Sequence, residues 1–104
     1  MEPGSVGLVV AAGGGGTRLG LGDKAFVEVA GAALVVHALR CFTPLAEIGP
    51  IVVVAPPGKE EAMRHLVDGE AAERRIGVCA GGRTRRRSVL LGLRALPPVG
   101  RVLV

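Results

Sequence analysis

Two stretches of this sequence carry side chains and backbone suited to chemistry on an anion. The first is Ala11-Ala12-Gly13-Gly14-Gly15-Gly16-Thr17-Arg18-Leu19-Gly20. Four consecutive glycines let the backbone take positive φ and approach a ligand closely. Their successive N–H groups can form a concave nest for negative charge. Thr17 adds a hydroxyl, Arg18 a charge that persists at every working pH, and Lys24 a second cation. The second stretch is Gly81-Gly82-Arg83-Thr84-Arg85-Arg86-Arg87-Ser88. With Thr84 as the N-cap of a helix, three arginines fill its first turn. That is the wrong sign for the helix dipole, costing ~0.3–1 kcal/mol per poorly screened charge. A helix start that gathers N–H donors and positive charge suits a bound anion.

Two common phosphate loops do not fit the first stretch. A Walker loop ends Gly-Lys-Ser/Thr, whereas Thr17-Arg18-Leu19 stands here. A dinucleotide fingerprint needs glycines at i, i+2 and i+5; counting from Gly13 or Gly14 ends on Arg18 or Leu19. The second strand run ends Val54-Ala55-Pro56, with no acidic residue to hold a ribose. Nicotinamide-dependent dehydrogenase chemistry is therefore disfavoured. His37 and His65 have no carboxylate or cysteine at ligand spacing and read as structural or surface residues. No carboxylate pair closes a strand, so no metal site is expected within these residues. Cys41 and Cys79, far apart and without metal spacing, read as two buried free thiols.

Composition narrows the partner. The 104 residues carry 13 Lys and Arg against 9 Asp and Glu, a net charge of +4. The chain has no Trp or Tyr, so base-stacking platforms for long nucleic acid are missing. A small phosphate compound needs fewer contacts and fits better. No apolar run approaches the ~20 residues of a membrane span. Met1-Glu2-Pro3-Gly4-Ser5 lacks the basic flank of a secretory signal, so a cytoplasmic location is expected.

The elements that must hold these stretches follow from hydropathy. Val6 to Ala12, Ile51 to Ala55, Ile76 to Ala80 and Val102 to Val104 are short apolar runs that read as buried strands. Gly31 to Phe42 has helical apolar spacing at Leu34, Val35, Ala38, Leu39 and Phe42, and Thr43-Pro44 closes it. Glu60 to about Ala72 reads as a surface helix. Thr84 to Leu96 reads as a third helix with Val89, Leu90, Leu93 and Leu96 on its inner face, stopped by Pro97-Pro98. The β-α-β-α-β-α-β order predicts a single α/β domain with a parallel sheet covered on both faces. Ligands in such sheets bind at the carboxyl ends of the strands, here residues 13–24, 56–60 and 81–88.

The first stretch, continued by Asp23-Lys24-Ala25-Phe26, resembles the signature loop of the nucleotidyltransferases that make nucleotide-diphosphate sugars and alcohols. Gly81-Gly82-Arg83-Thr84-Arg85 with Ser88-Val89-Leu90 and Gly92-Leu93 is similar to the second motif of the 2-C-methyl-D-erythritol 4-phosphate cytidylyltransferase family, and Val54-Ala55-Pro56-Pro57 fits that family's second strand end. The resemblance implies a Rossmann-like three-layer sandwich with a mostly parallel sheet, of the nucleotide-diphospho-sugar transferase type. It implies that residues 1–104 are the N-terminal, CTP-binding portion of a single nucleotidyltransferase domain.

By the same resemblance, CTP and methylerythritol phosphate would be joined, with release of pyrophosphate, in non-mevalonate isoprenoid synthesis. Arg18 and Lys24 would be catalytic, stabilising charge on the triphosphate. Ala11, Ala12, Gly13, Gly14, Gly15, Gly16 and Thr17 would hold base and phosphates, and Gly82, Arg83 and Ser88 would bracket cytosine and ribose. Arg85 would be a structural or phosphate contact, while Arg86 and Arg87 fall at variable positions. A pentitol-phosphate cytidylyltransferase and a non-catalytic nucleotide-binding module are alternatives that keep these motifs. The sequence departs from the family pattern in three ways. The glycine run is one residue longer, so Gly13 or a neighbour is an extra residue. Asp23 stands where a proline is usual. The aspartate that would bind Mg²⁺, the acceptor-binding residues and the homodimer arm would lie beyond Val104. The expectation is a domain truncated after its fourth strand, which binds CTP weakly and does not catalyse.

Overall fold

A computed structural model describes residues 3–12, 26–70 and 76–104. The sheet is built from β1 (Val6–Ala11), β4 (Ile48–Ala55), β5 (Ile76–Ala80) and β6 (Arg101–Leu103), all parallel, in the order β5-β4-β1-β6. Between β1 and β4 lie a two-stranded hairpin, β2 (Glu28–Val29) with β3 (Ala32–Ala33), and helix α1 (Leu34–Phe42). Helix α2 (Glu60–Val67), continued by a 3₁₀ turn Asp68–Glu70, joins β4 to β5. Helix α3 (Arg85–Ala95) joins β5 to β6.

Strand alternation sorts the core into two layers. Leu8, Ile51, Val53 and Ala55 face α1 and α2, where Val35, Val36, Leu39, Met63 and Val67 cover them. Val9, Val52 and Val54 face the other way, with Leu96 and Cys79 against them. Right-handed crossovers explain which helix covers which face. Travel from β1 to β4 to β5 runs one way across the sheet and sets α1 and α2 on one side. The return from β5 to β6 runs the other way and sets α3 opposite. The result is the expected three-layer α/β/α arrangement, with the strand order reversing next to β1.

Several boundaries differ from the sequence reading, each for a local reason. β4 begins at Ile48 rather than Ile51, and the pairing slips between Val6↔Ile48 and Leu8↔Ile51. The extra residue falls at Gly49-Pro50, where proline has no N–H for the ladder and a bulge is the tolerated solution. Gly31 to Ala33 are not helical: Ala30 and Gly31 sit at φ +53° and +86°, the two positive values of a type I′ turn. The helix therefore starts at Leu34. α2 ends at Val67 rather than near Ala72.

Two burial expectations are also corrected. Arg101–Leu103 is an exposed edge strand rather than a buried one, because among the described residues it is paired to β1 alone. Cys41 is exposed, since it stands two residues, about 200° of helix rotation, from the buried Leu39. Cys79 is half-buried. α1 and the turn after α2 are joined by Arg40, whose Nε and Nη2 donate to the two Glu70 carboxylate oxygens at 3.0 and 3.2 Å. Among the described residues no helix is long and apolar enough to cross a membrane.

Candidate functional site

The carboxyl ends of β1, β4 and β5 are stitched into one rim. Past the end of β1, the Ala12 N–H donates to the Val54 carbonyl at 2.9 Å. Past the end of β5, the Gly81 N–H donates to the Ala55 carbonyl at 2.7 Å. Ala12 is fully buried and Ala11 half-buried, so small side chains close this end of β1. The two sequence motifs thus arise from strand ends one strand apart, with β4 between them. Gly13, Gly14, Gly15, Gly16, Thr17, Arg18 and Lys24 lie outside the described residues.

The second motif is built as its sequence predicts, with one addition. Thr84 has extended backbone, and its Oγ1 accepts the Arg87 N–H at 3.1 Å, which makes it the N-cap of α3. The first turn holds no acidic residue, so Arg85, Arg86 and Arg87 face an uncompensated positive dipole end. The addition concerns Ser88, expected beside cytosine and ribose: it is fully buried, and its Oγ accepts the Gly82 N–H at 3.0 Å. Ser88 therefore pins the glycine turn to the helix from inside. Gly82 is tight on its other side as well. A Cβ there would fall 2.8 Å from the Cβ of Arg87, so only glycine passes under that side chain.

The four arginines divide by what they touch. All are exposed. Arg87 lies over Gly82. Arg85 lines a cavity of about 300 Å³ beside the carboxyl half of β1, which it shares with Ala11, Phe42 and Leu103. This cavity sits where β6 stops pairing with β1, at Leu8↔Leu103, next to the reversal of strand order.

The inner face of α3 departs from expectation. Leu90 and Leu93 are exposed at 40% and 38%, and the residues buried against the sheet are Ser88 and Gly92. A Cβ on Gly92 would come within 2.6 Å of Val9 and 2.8 Å of Val54. Hydropathy periodicity credits leucines and overlooks an i, i+4 pair of small residues that lets a helix backbone settle onto strands.

Sequence reasoning also passed over Lys59. Pro56-Pro57-Gly58-Lys59 is a tight turn, closed by the Lys59 N–H on the Pro56 carbonyl at 2.9 Å. Gly58 sits at φ +85°, as a type II turn requires after proline. The turn sets the Lys59 ammonium 5.5 Å from the centre of the Phe26 ring. The Pro-Pro-Gly run at a strand end is the signal that could have marked it. The Cys79 thiol, one strand over, is pushed up from its ordinary range by burial and secondarily by the charge of Glu60. Among the described residues, no three His, Cys, Asp or Glu side chains come together to hold a metal.

The fold and this rim define a class: an open α/β domain whose two glycine-bearing motifs follow the carboxyl ends of parallel strands. A family model described as IspD, 2-C-methyl-D-erythritol 4-phosphate cytidylyltransferase, matches residues 6–104. The chain belongs to that family. It is 41% identical over 107 residues to the 2-C-methyl-D-erythritol 4-phosphate cytidylyltransferase of Streptomyces coelicolor, covering 99% of this chain and 40% of the relative. It is 40% identical over 93 residues to the protein of that name from Streptomyces avermitilis, covering 86% of this chain and 37% of the relative. A bifunctional enzyme IspD/IspF of Clavibacter michiganensis is 45% identical over 94 residues, covering 88% of this chain and 23% of the relative. The chain thus spans two-fifths or less of the length of these relatives.

Proposed function

We propose that this chain is the nucleotide-gripping portion of a cytidylyltransferase that joins CTP to a sugar-alcohol phosphate, 2-C-methyl-D-erythritol 4-phosphate above a pentitol phosphate. The relatives carry the former substrate in their names. The observation that carries the reading is the shared rim. Ala12 and Gly81 are both hydrogen-bonded to β4, which sets the strand end leading into the first motif beside the glycine turn of the second.

The chemistry asked of such a rim is positioning and charge neutralisation. An acceptor phosphate oxygen attacks the α-phosphorus of CTP. A new P–O bond forms, the bond to the bridging oxygen breaks, and its electron pair leaves on pyrophosphate. Negative charge collects on the oxygens of the α-phosphorus and the leaving group. Arg18 and Lys24 would neutralise it, and N–H groups of Ala12 to Thr17 would hold the phosphates. The Gly82 N–H is occupied by Ser88, which leaves the Gly82 carbonyl as the backbone group there that can accept the exocyclic amine of cytosine. Arg85, beside the end of β1, would add a phosphate contact. Mg²⁺, a homodimer and a cytoplasmic setting go with the family resemblance.

Titration calorimetry with CTP, UTP, ATP and GTP tests the reading. CTP should bind at least about tenfold tighter than the others, which is about 1.4 kcal/mol of discrimination. Equal binding of all four would sink the cytidine assignment.

A further inference from the structure

Residues 26–33, which lead into α1, are anchored near their ends by Phe26 and Ala33, packed against the α1–α2 core, while the stretch between carries exposed side chains. Val27 and Val29 are exposed at 50% and 49%. Among the described residues, three contacts tie this segment to its surroundings. The Phe26 ring packs against the α1–α2 side of the core, with the Lys59 ammonium 5.5 Å from its centre, within cation–π range. The Leu34 N–H donates to the Val27 carbonyl at 2.9 Å. The His37 imidazole reaches back eight residues to the Val29 carbonyl, Nε2 to O 2.5 Å. A carbonyl only accepts, so the ring presents its Nε2–H.

These ties connect the hairpin to the rim. Lys59 stands in the turn that follows β4, the strand to which Ala12 and Gly81 are bonded. Phe26 follows Lys24 by two residues, and two residues of chain span at most about 7 Å. We propose that His37 and Lys59 are positioning residues for anion binding at the strand ends. They act through the root of the β2–β3 hairpin at Phe26, which Lys59 faces from the turn that follows β4. The inference rests on the nucleotide reading above and extends it to residues that need not touch the ligand.

The test compares the 104-residue chain with its His37→Ala, His37→Gln and Lys59→Met variants. CTP affinity is measured by calorimetry, global stability by thermal unfolding, and Leu34 amide exchange by NMR. Glutamine places an amide N–H at about the reach of the imidazole Nε2, and methionine keeps the lysine stem without its charge. His37→Ala should weaken CTP binding about fivefold, the scale of one hydrogen bond, and speed exchange at Leu34. His37→Gln should restore affinity to within about twofold, and Lys59→Met should weaken it about threefold. CTP binding by His37→Ala equal to that of the unaltered chain would overturn the inference and leave the nucleotide reading standing. So would a His37→Gln variant no better than His37→Ala. If His37→Ala lowers the unfolding midpoint enough to compromise the comparison, Lys59→Met decides, and unchanged affinity there overturns the inference. Absence of nucleotide binding by the unaltered chain would overturn both.

Discussion

On one face of the sheet, α1 and α2 set Val35, Leu39, Met63 and Val67 against Leu8, Ile51 and Val53. On the other, α3 sets Ser88 and Gly92 against strands that present Val9 and Val54. The first face fills space with large aliphatic side chains, and its contribution scales with buried apolar area. The second brings a helix backbone almost onto the strands and has little space to fill. The difference matters for function because both glycine-arginine geometry and the buried Ser88 belong to the second face. Burial on the first face keeps the sheet together. Close approach on the second fixes where the N-terminus of α3 meets the rim.

The two faces should therefore fail in opposite ways. The largest effect is expected from removing volume on the first face. Leu39→Ala should lower unfolding free energy in urea by about 2–5 kcal/mol, since Leu39 is fully buried. Adding volume on the second face comes next. Gly92→Val should cost about 1–3 kcal/mol through overpacking against Val9 and Val54, although a non-glycine residue favours the helix by a few tenths. It should also weaken CTP binding, which Leu39→Ala should affect only through stability. Ser88→Ala should cost about 1–3 kcal/mol by leaving the part-buried Gly82 N–H without its acceptor, and should also blunt nucleotide discrimination. Removing volume from the outer side of α3, as in Leu93→Ser, should cost about 1 kcal/mol, well below Leu39→Ala, because Leu93 keeps 38% of its surface in water. A large loss there would undo the contrast between the faces.

The smallest effect is chemical rather than energetic. Burial and the Glu60 charge both favour the neutral thiol of Cys79. A raised pKa means less thiolate at neutral pH, so iodoacetamide labelling of Cys79 should rise with pH later than that of an ordinary free thiol. A Cys41→Ser variant removes the exposed competitor. An ordinary thiol profile for Cys79 would show that the strand end beside the rim is wetter than the packing indicates.

Much of this architecture is legible without coordinates, and the exceptions have physical causes. The strand runs Val6 to Ala11, Ile51 to Ala55 and Ile76 to Ala80 announce themselves because both of their faces are covered and every position is apolar or small. The start of α3 is readable because a threonine cap has a local signature. The β2–β3 hairpin is hidden: its strands are two residues long, and Ala30 takes a positive φ usually left to Gly, Asn or Asp. The packed side of α3 is hidden because close approach through glycine carries no hydropathy. The roles of His37 and Lys59 are hidden because their partners, Val29 and Phe26, are brought to them by turns rather than by pattern. The glycine-arginine rim itself could be located from sequence, since the carboxyl ends of parallel strands are where such a fold receives ligands.

The central claim is that the rim of β1, β4 and β5 receives a cytidine nucleotide. An amide NMR titration of the chain with CTP tests it most directly. The account predicts that the largest shift changes fall at Ala11, Ala12, Gly81, Gly82 and Arg83. Largest changes at the opposite strand ends, around Gly49 and Gly100, or no change at saturating CTP, would contradict it.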